Sequence, residues 1–289
     1  MRIHLGFRER FALTLLCAMC VTAPAYAQKV QLSLSPMRVD IDQLKAGDTY
    51  TDALGISNNS DETQHIVVWA ADWRLTADGG VDFLHAGSFQ DYSCGEWITV
   101  NPTEFDLAPL KGERLRYTFR VPSGATQKGY HCALVVQNTP RPNEPGSGPA
   151  MRTQLRLVTT FYAVVGNPSA QPRVESLTIV PGTTKGQAEG ATDVAAWTVQ
   201  LTLTNSGETH CRGEGTIKLL DASGQTLKTL SLDSSPILPK TERRFSWPIQ
   251  EKLAPGDYRI QASLDLGLKA VQEIEKNVTL SAPDTSRPQ

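Results

Sequence analysis

The residues of this 289-residue chain whose types could carry chemistry are few and widely spaced. Two His-Cys dipeptides, His131-Cys132 and His210-Cys211, could be read as metal ligands. Neighbouring side chains on a strand face opposite ways, however, and no C-x-x-C or H-x-x-x-H accompanies either pair, so no metal and no cofactor is expected. The sequence has no G-x-S-x-G, no H-E-x-x-H and no phosphate-binding glycine loop. Nothing in it asks for catalysis, and neither an enzyme activity nor a small-molecule substrate is expected. What remains is cysteine chemistry and one arginine. Cys94 and Cys132 fall in one expected domain, so a bridge between them is the economical pairing and leaves Cys211 reduced; three buried, inert thiols is the alternative. The arginine is Arg38 in "LSLSPMRVDI". There Met37, Val39 and Ile41 can share the core face of a strand while Arg38 and Asp40 point the other way. Arg38 is either plain solvent-facing charge or the floor of a cleft.

The elements that hold these residues begin after a leader. Residues 1–27 have the three parts of a secretory signal: Arg2, Arg8 and Arg10, the apolar "FALTLLCAMCV", and the small-residue cleavage site "AYA" before Gln28. The mature chain is therefore expected in an oxidising compartment outside the cytoplasm, the periplasm, with no membrane span, because no later apolar run approaches the roughly 18 to 20 residues a span needs. The formal net charge is −2, and losing a leader that is itself basic makes the mature chain more acidic. A nucleic-acid binder would carry a basic stripe, and that class is set aside.

Apolar residues recur at period two between clusters of Gly, Pro, Asn, Asp and Ser, and no long segment keeps a period of 3.6. The chain is expected to be all-β. Strands are expected near 30 to 41, 49 to 57, 64 to 74, 80 to 84, 95 to 107, 113 to 121, 129 to 137 and 151 to 165. A second set follows near 172 to 180, 194 to 204, 212 to 220, 225 to 232, 240 to 248, 256 to 265 and 271 to 280. This count and spacing predict two immunoglobulin-like β-sandwiches in tandem, over residues 28–168 and 169–281, with a disordered tail at 282–289. "NTPRPNEPGSGPA", rich in Pro and Gly, reads as a loop leading to the last strand of the first domain.

From "LSLSPMRVDI" through "ALGISNNSDETQHIVVWAADW" and "CGEWITVNPTEFDLAPLKGERLRYTFRVP" to "TQLRLVTTFYAVVGNP", the first domain resembles the N-terminal domain of the periplasmic chaperones of the chaperone-usher pilus pathway. The second domain resembles only the generic immunoglobulin-like modules of bacterial surface proteins. The family resemblance implies two sandwiches set at an angle. It also implies a partner, a secreted pilin-like or surface subunit bound by strand addition, with an Arg and a Lys holding the subunit's terminal carboxylate. Arg38 matches the family's Arg, whereas the Lys position, two residues before "FY", holds Thr159. A hydroxyl cannot supply that second charge-assisted contact. Met151, Leu155 and Leu157 share one parity as the expected donor side chains, with Thr153 interrupting them. The rival reading is a structural immunoglobulin-like scaffold or surface module, in which the strand from 151 to 165 closes its own sandwich.

Overall fold

The computed structural model describes residues 30–89, 91–139, 154–184, 194–251 and 253–281. The expected leader, Met151 with most of the Pro/Gly-rich stretch, and the expected tail lie outside the described residues.

The first half of the chain supplies β1 (Leu32–Ser35), β2 (Arg38–Leu44), β3 (Thr49–Asn58), β4 (Gln64–Leu75), β5 (Val81–His85), β6 (Ile98–Asn101), β7 (Glu104–Leu107), β8 (Gly112–Arg120), β9 (Gly129–Asn138) and β10 (Arg156–Val165). They form two facing sheets, one ordered β1-β3-β8-β6 and the other β2-β10-β9-β4-β5, with β7 paired to β4. The second half supplies β11 (Pro172–Thr184), β12 (Val194–Asn205), β13 (Cys211–Leu220), β14 (Thr226–Ile237), β15 (Thr241–Ile249), β16 (Gly256–Asp265) and β17 (Gln272–Leu280). These make a three-stranded sheet β11-β12-β15 facing a four-stranded sheet β14-β13-β16-β17. The architecture is all-β, two immunoglobulin-like sandwiches in tandem, and a single 3-10 turn at Gly95–Trp97 is the one helical element among the described residues.

Alternation explains most of it. In β8, Leu115, Tyr117 and Phe119 are buried while Arg114, Arg116 and Arg120 face water. In β9 the run Cys132–Val136 is buried on both faces, because one face meets the core of the first sandwich and the other is covered. The first core holds Leu54, Ile66, Leu115, Tyr117, Leu134 and Phe161, and the second holds Leu177, Val199, Leu201, Ile217, Ile260 and Leu264.

Two expected strands are each two strands. The run 30 to 41 breaks at Pro36, so β1 pairs with β3 in one sheet while β2 lies parallel to β10 in the other. The run 95 to 107 breaks at Pro102, sending β6 to β8 and β7 to β4. Proline lacks the N–H a ladder needs, and the chain uses that gap to change sheets.

Cys94 and Cys132 form a disulfide across this core, and Cys211 is free and buried. Burial raises the Cys211 thiol to about 11, so it is inert at neutral pH. Thiol counting on the denatured, unreduced chain from Gln28 onward should find one free thiol; three would dismiss the bridge.

Candidate functional site

Strand β10 is the element on which the candidate residues meet. Along its C-terminal part it lies between two neighbours: Thr160 to Ala163 pair with Arg38 to Ile41 on β2 and with Ala133 to Tyr130 on β9. Along its N-terminal part β9 is the only ladder partner among the described residues, because β1 has already crossed to the other sheet. Direction can be assigned residue by residue. The Leu155 carbonyl accepts from Asn138 N–H on the β9 side, whereas Thr160 N–H donates to the Met37 carbonyl on the opposite side. Backbone polar groups alternate along a strand, so those of Arg156 and Val158 point away from β9, to the side where β2 does not reach and no other described strand lies. An edge of this kind is a template for another chain.

The entry to this edge is pinned from below. Asn138, buried, accepts from Leu155 N–H at 2.6 Å through its side-chain oxygen and donates to Gln64. The same end of the sandwich holds buried Asn58, whose amide donates to the Glu62, Leu107 and Ala108 carbonyls. The start of β10 is therefore held in place, while no described strand pairs with its outer edge.

Each expected site residue has a definite place. Leu155 is half-buried at the mouth of β10, and Leu157 packs against the first core. Thr159 is fully buried, and its hydroxyl donates to the Pro36 carbonyl at 2.7 Å, tying β10 to the turn where the chain changes sheets. It presents no polar group outward. Arg38 is exposed on β2 directly opposite Thr160 and donates through Nε to Asp40 at 2.7 Å. Beside it Met37 is 60% exposed, a large apolar side chain at the end of the open edge.

The structure adds residues that sequence reasoning did not select. On the face of β10 opposite the first core, buried Tyr162 packs against His210 from the second sandwich, the rings tilted at 37° with 4.5 Å between their centres, and the Arg212 guanidinium lies over the same tyrosine ring. Trp73, Ala133, Tyr162 and Leu238 form a small apolar cluster in this seam between the sandwiches. Around it, Gly129 N–H donates to the Glu208 carbonyl, Tyr92 donates to the Glu208 carboxylate, and Arg244 N–H donates to the Ala77 carbonyl. Burial lowers the His210 pKa below its ordinary value, with Asp40 pulling the other way and Arg212 reinforcing the drop. The signal that could have found this site was the His210-Cys211 dipeptide, read above for metal binding, together with Arg212 beside it. Chemically the site offers a strand edge unpaired among the described residues, a flanking arginine and an aromatic seam. Among the described residues no group of three His, Cys, Asp or Glu could hold a metal, and no helix is long and apolar enough to cross a membrane.

No family model matches the chain, and no curated protein matches it. Solved structures do share its course. One is the class 5 fimbriae chaperone CfaA, at TM-score 0.42 and 9% identity, covering 87% of this chain and 100% of that one. A chain of the Salmonella enterica SafA pilin–SafB chaperone complex matches at TM-score 0.42 and 14% identity, over 88% and 98% of the two chains. A chain of the CsuC–CsuE chaperone–tip subunit complex of Acinetobacter baumannii matches at TM-score 0.41 and 12% identity, over 86% and 97%. Likeness at this level leaves the functional reading to the geometry of β10 and its surroundings.

Proposed function

We propose that the chain is a periplasmic, non-enzymatic chaperone-like protein that binds a secreted pilus or surface subunit by adding β10 to it as a strand. One observation carries this reading: the backbone groups of Arg156 and Val158 face a side of β10 on which no described strand lies, while its other edge is paired with β9. A partner strand laid there gains main-chain hydrogen bonds, and Leu155 with Met151 supplies side chains for its groove. Arg38, at the end of the gap, supplies the cation for a terminal carboxylate by leaving Asp40. An exposed ion pair of that kind is worth about 1 kcal/mol or less, so exchanging partners is easy.

The packing of Leu157 against the chain's own core favours the second reading at that position, a scaffold module that uses β10 only to close its sandwich. One experiment separates the two. Arg156→Pro removes an N–H that points into the gap while leaving the β9 ladder intact, since proline is tolerated where the N–H is unpaired. Co-expressed with candidate pilin-like subunits, the wild-type chain should co-purify with one of them, and Arg156→Pro and Arg38→Ala should each lose it while melting normally. Undiminished capture by Arg156→Pro would end the strand-addition reading.

A further inference from the structure

We propose that the outer face of the first sheet, β1-β3-β8-β6, is a docking surface for an anionic lipid bilayer. Arg114, Arg116 and Arg120 all stand on this face of β8, since Leu115, Tyr117 and Phe119 between them are buried on the other. At about 3.4 Å per residue they form a ladder roughly 20 Å long, with Arg114 and Arg116 about 7 Å apart. A solvated sheet face ordinarily relieves such repulsion by placing acidic residues on the neighbouring strands, because opposite charges across a pair stabilise and like charges do not. This face does the reverse. β3 sets Gly55, Ala53 and Thr49 opposite the three arginines, and β6 sets Asn101 beside Arg116.

Among the described residues none of the three guanidinium groups has a hydrogen bond or an ion pair. Asp52, on β3, is within reach of the Arg114 charge. It is held below its ordinary pKa first by the Ala53 backbone N–H, then by the Tyr50 hydroxyl, and only last by Arg114. The concentration of cations is notable because the whole chain carries a formal net charge of −2. Its charge is sorted, not merely positive.

The texture of the face selects the kind of partner. A protein partner would need an apolar anchor in a pocket or a free sheet edge, and this surface, paved with Gly, Ala and Thr, offers neither at its centre. A fluid anionic surface needs no pocket and no shape match, only cations on a flat support. The turn before β8 adds Lys111 and, next to it, Leu110, which is 75% exposed and so free to enter a bilayer interface. This surface lies on the sheet that does not contain β10, so a bilayer and a captured subunit would occupy different sheets of the same sandwich.

The test uses the mature chain and vesicles of phosphatidylglycerol and phosphatidylcholine in equal parts, with pure phosphatidylcholine as comparison, read by co-sedimentation. The chain should sediment with the mixed vesicles, not with the neutral ones, and added salt should release it. Arg114→Thr with Arg116→Thr and Arg120→Thr should weaken binding about 100-fold, at about five-fold per cation, with the melting temperature unchanged. Replacing the same three by lysine keeps the charge and should keep binding within a few-fold, which guards against a threonine variant that fails to fold. Equal binding to neutral vesicles, salt-insensitive binding, or a lysine variant as weak as the threonine one would overturn the proposal. So would retention on immobilised polyglutamate without any binding to vesicles, which would assign the face to an acidic protein.

Discussion

Replacing Leu238 by aspartate should leave two folded sandwiches with no fixed angle between them. Leu238 follows β14 in the second sandwich but belongs to neither main core. It is 2% exposed because it plugs into the outer face of the first sandwich against Trp73, Ala133 and Tyr162. Burying a leucine stabilises by about 1.5 to 3 kcal/mol, and truncation to alanine alone would cost about 2 to 5 kcal/mol. An aspartate there also loses its water, and the nearest polar group on Trp73 is taken, since its indole N–H already donates to the Cys132 carbonyl at 3.0 Å. Unpaired burial of a carboxylate costs several kcal/mol more, so the seam opens before the charge is buried. Among the remaining bonds across it are the exposed ion pair of Arg244 with Asp78, worth about 1 kcal/mol or less, and the hydrogen bonds that Tyr92 donates to the Glu208 carboxylate and Arg243 to the Thr76 carbonyl. Both main cores are untouched, because their members come from one sandwich each. Small-angle scattering should show a larger radius of gyration, and calorimetry two separate transitions. A single unfolded chain, or a profile identical to the wild type, would show that the plug does not govern the angle.

Alternation made the strands legible and left the contacts between them unread. The parity of "RLRYTFR" is enough to place Leu115, Tyr117 and Phe119 inward, because period two is a local property of a strand. The double-sided burial of Ala133 and Val135 was visible only as a long apolar run, and what covers the second face comes partly from Leu238, about a hundred residues away in sequence. The same limit applies at the site. "SPMRV" marked Arg38, but nothing local says that Pro36 diverts the chain between sheets, and that diversion is what leaves Arg156 and Val158 without a second ladder partner among the described residues. Thr159 was singled out for lacking a charge. Its hydroxyl instead closes the junction by donating to Pro36, a pairing between residues far apart in sequence. The meeting of Tyr162 with His210 and Arg212 is illegible for the same reason: no sequence spacing brings β10 of one sandwich against the loop before β13 and the start of β13 in the other.

Acid should loosen this seam over a defined range, and His131 should account for the largest share. His131 lies on β9 with its ring edge-on to Trp73 at 5.3 Å. Burial, and then the nearby His210, push its pKa from 6.5 down to about 4, with a hydrogen bond to the Trp73 backbone pulling weakly the other way. Above pH 6.5 the ring is neutral in both folded and unfolded chains, so it adds no pH dependence there. Between pH 6.5 and about 4 the unfolded chain takes up a proton that the folded chain refuses, and stability falls by about 1.4 kcal/mol per pH unit. The loss attributable to His131 reaches about 3 kcal/mol and then levels off, once the folded form also protonates. His210, lowered for the same chief reason, acts in the same direction. Carboxylates held low in the folded chain, such as Asp221, lose their contribution further down as they protonate, but they are common to any pair of variants compared. His131→Gln keeps hydrogen-bonding capacity and cannot titrate in this range, so its urea stability should fall about 3 kcal/mol less than that of the wild type between pH 6.5 and 4. Parallel curves for the two proteins would mean that His131 titrates as freely in the folded chain as in the unfolded one. Because His131 and His210 approach each other from the two sides of the seam, the wild-type radius of gyration should begin to rise before the sandwiches melt. Simultaneous loss of both would place the effect within the first sandwich alone.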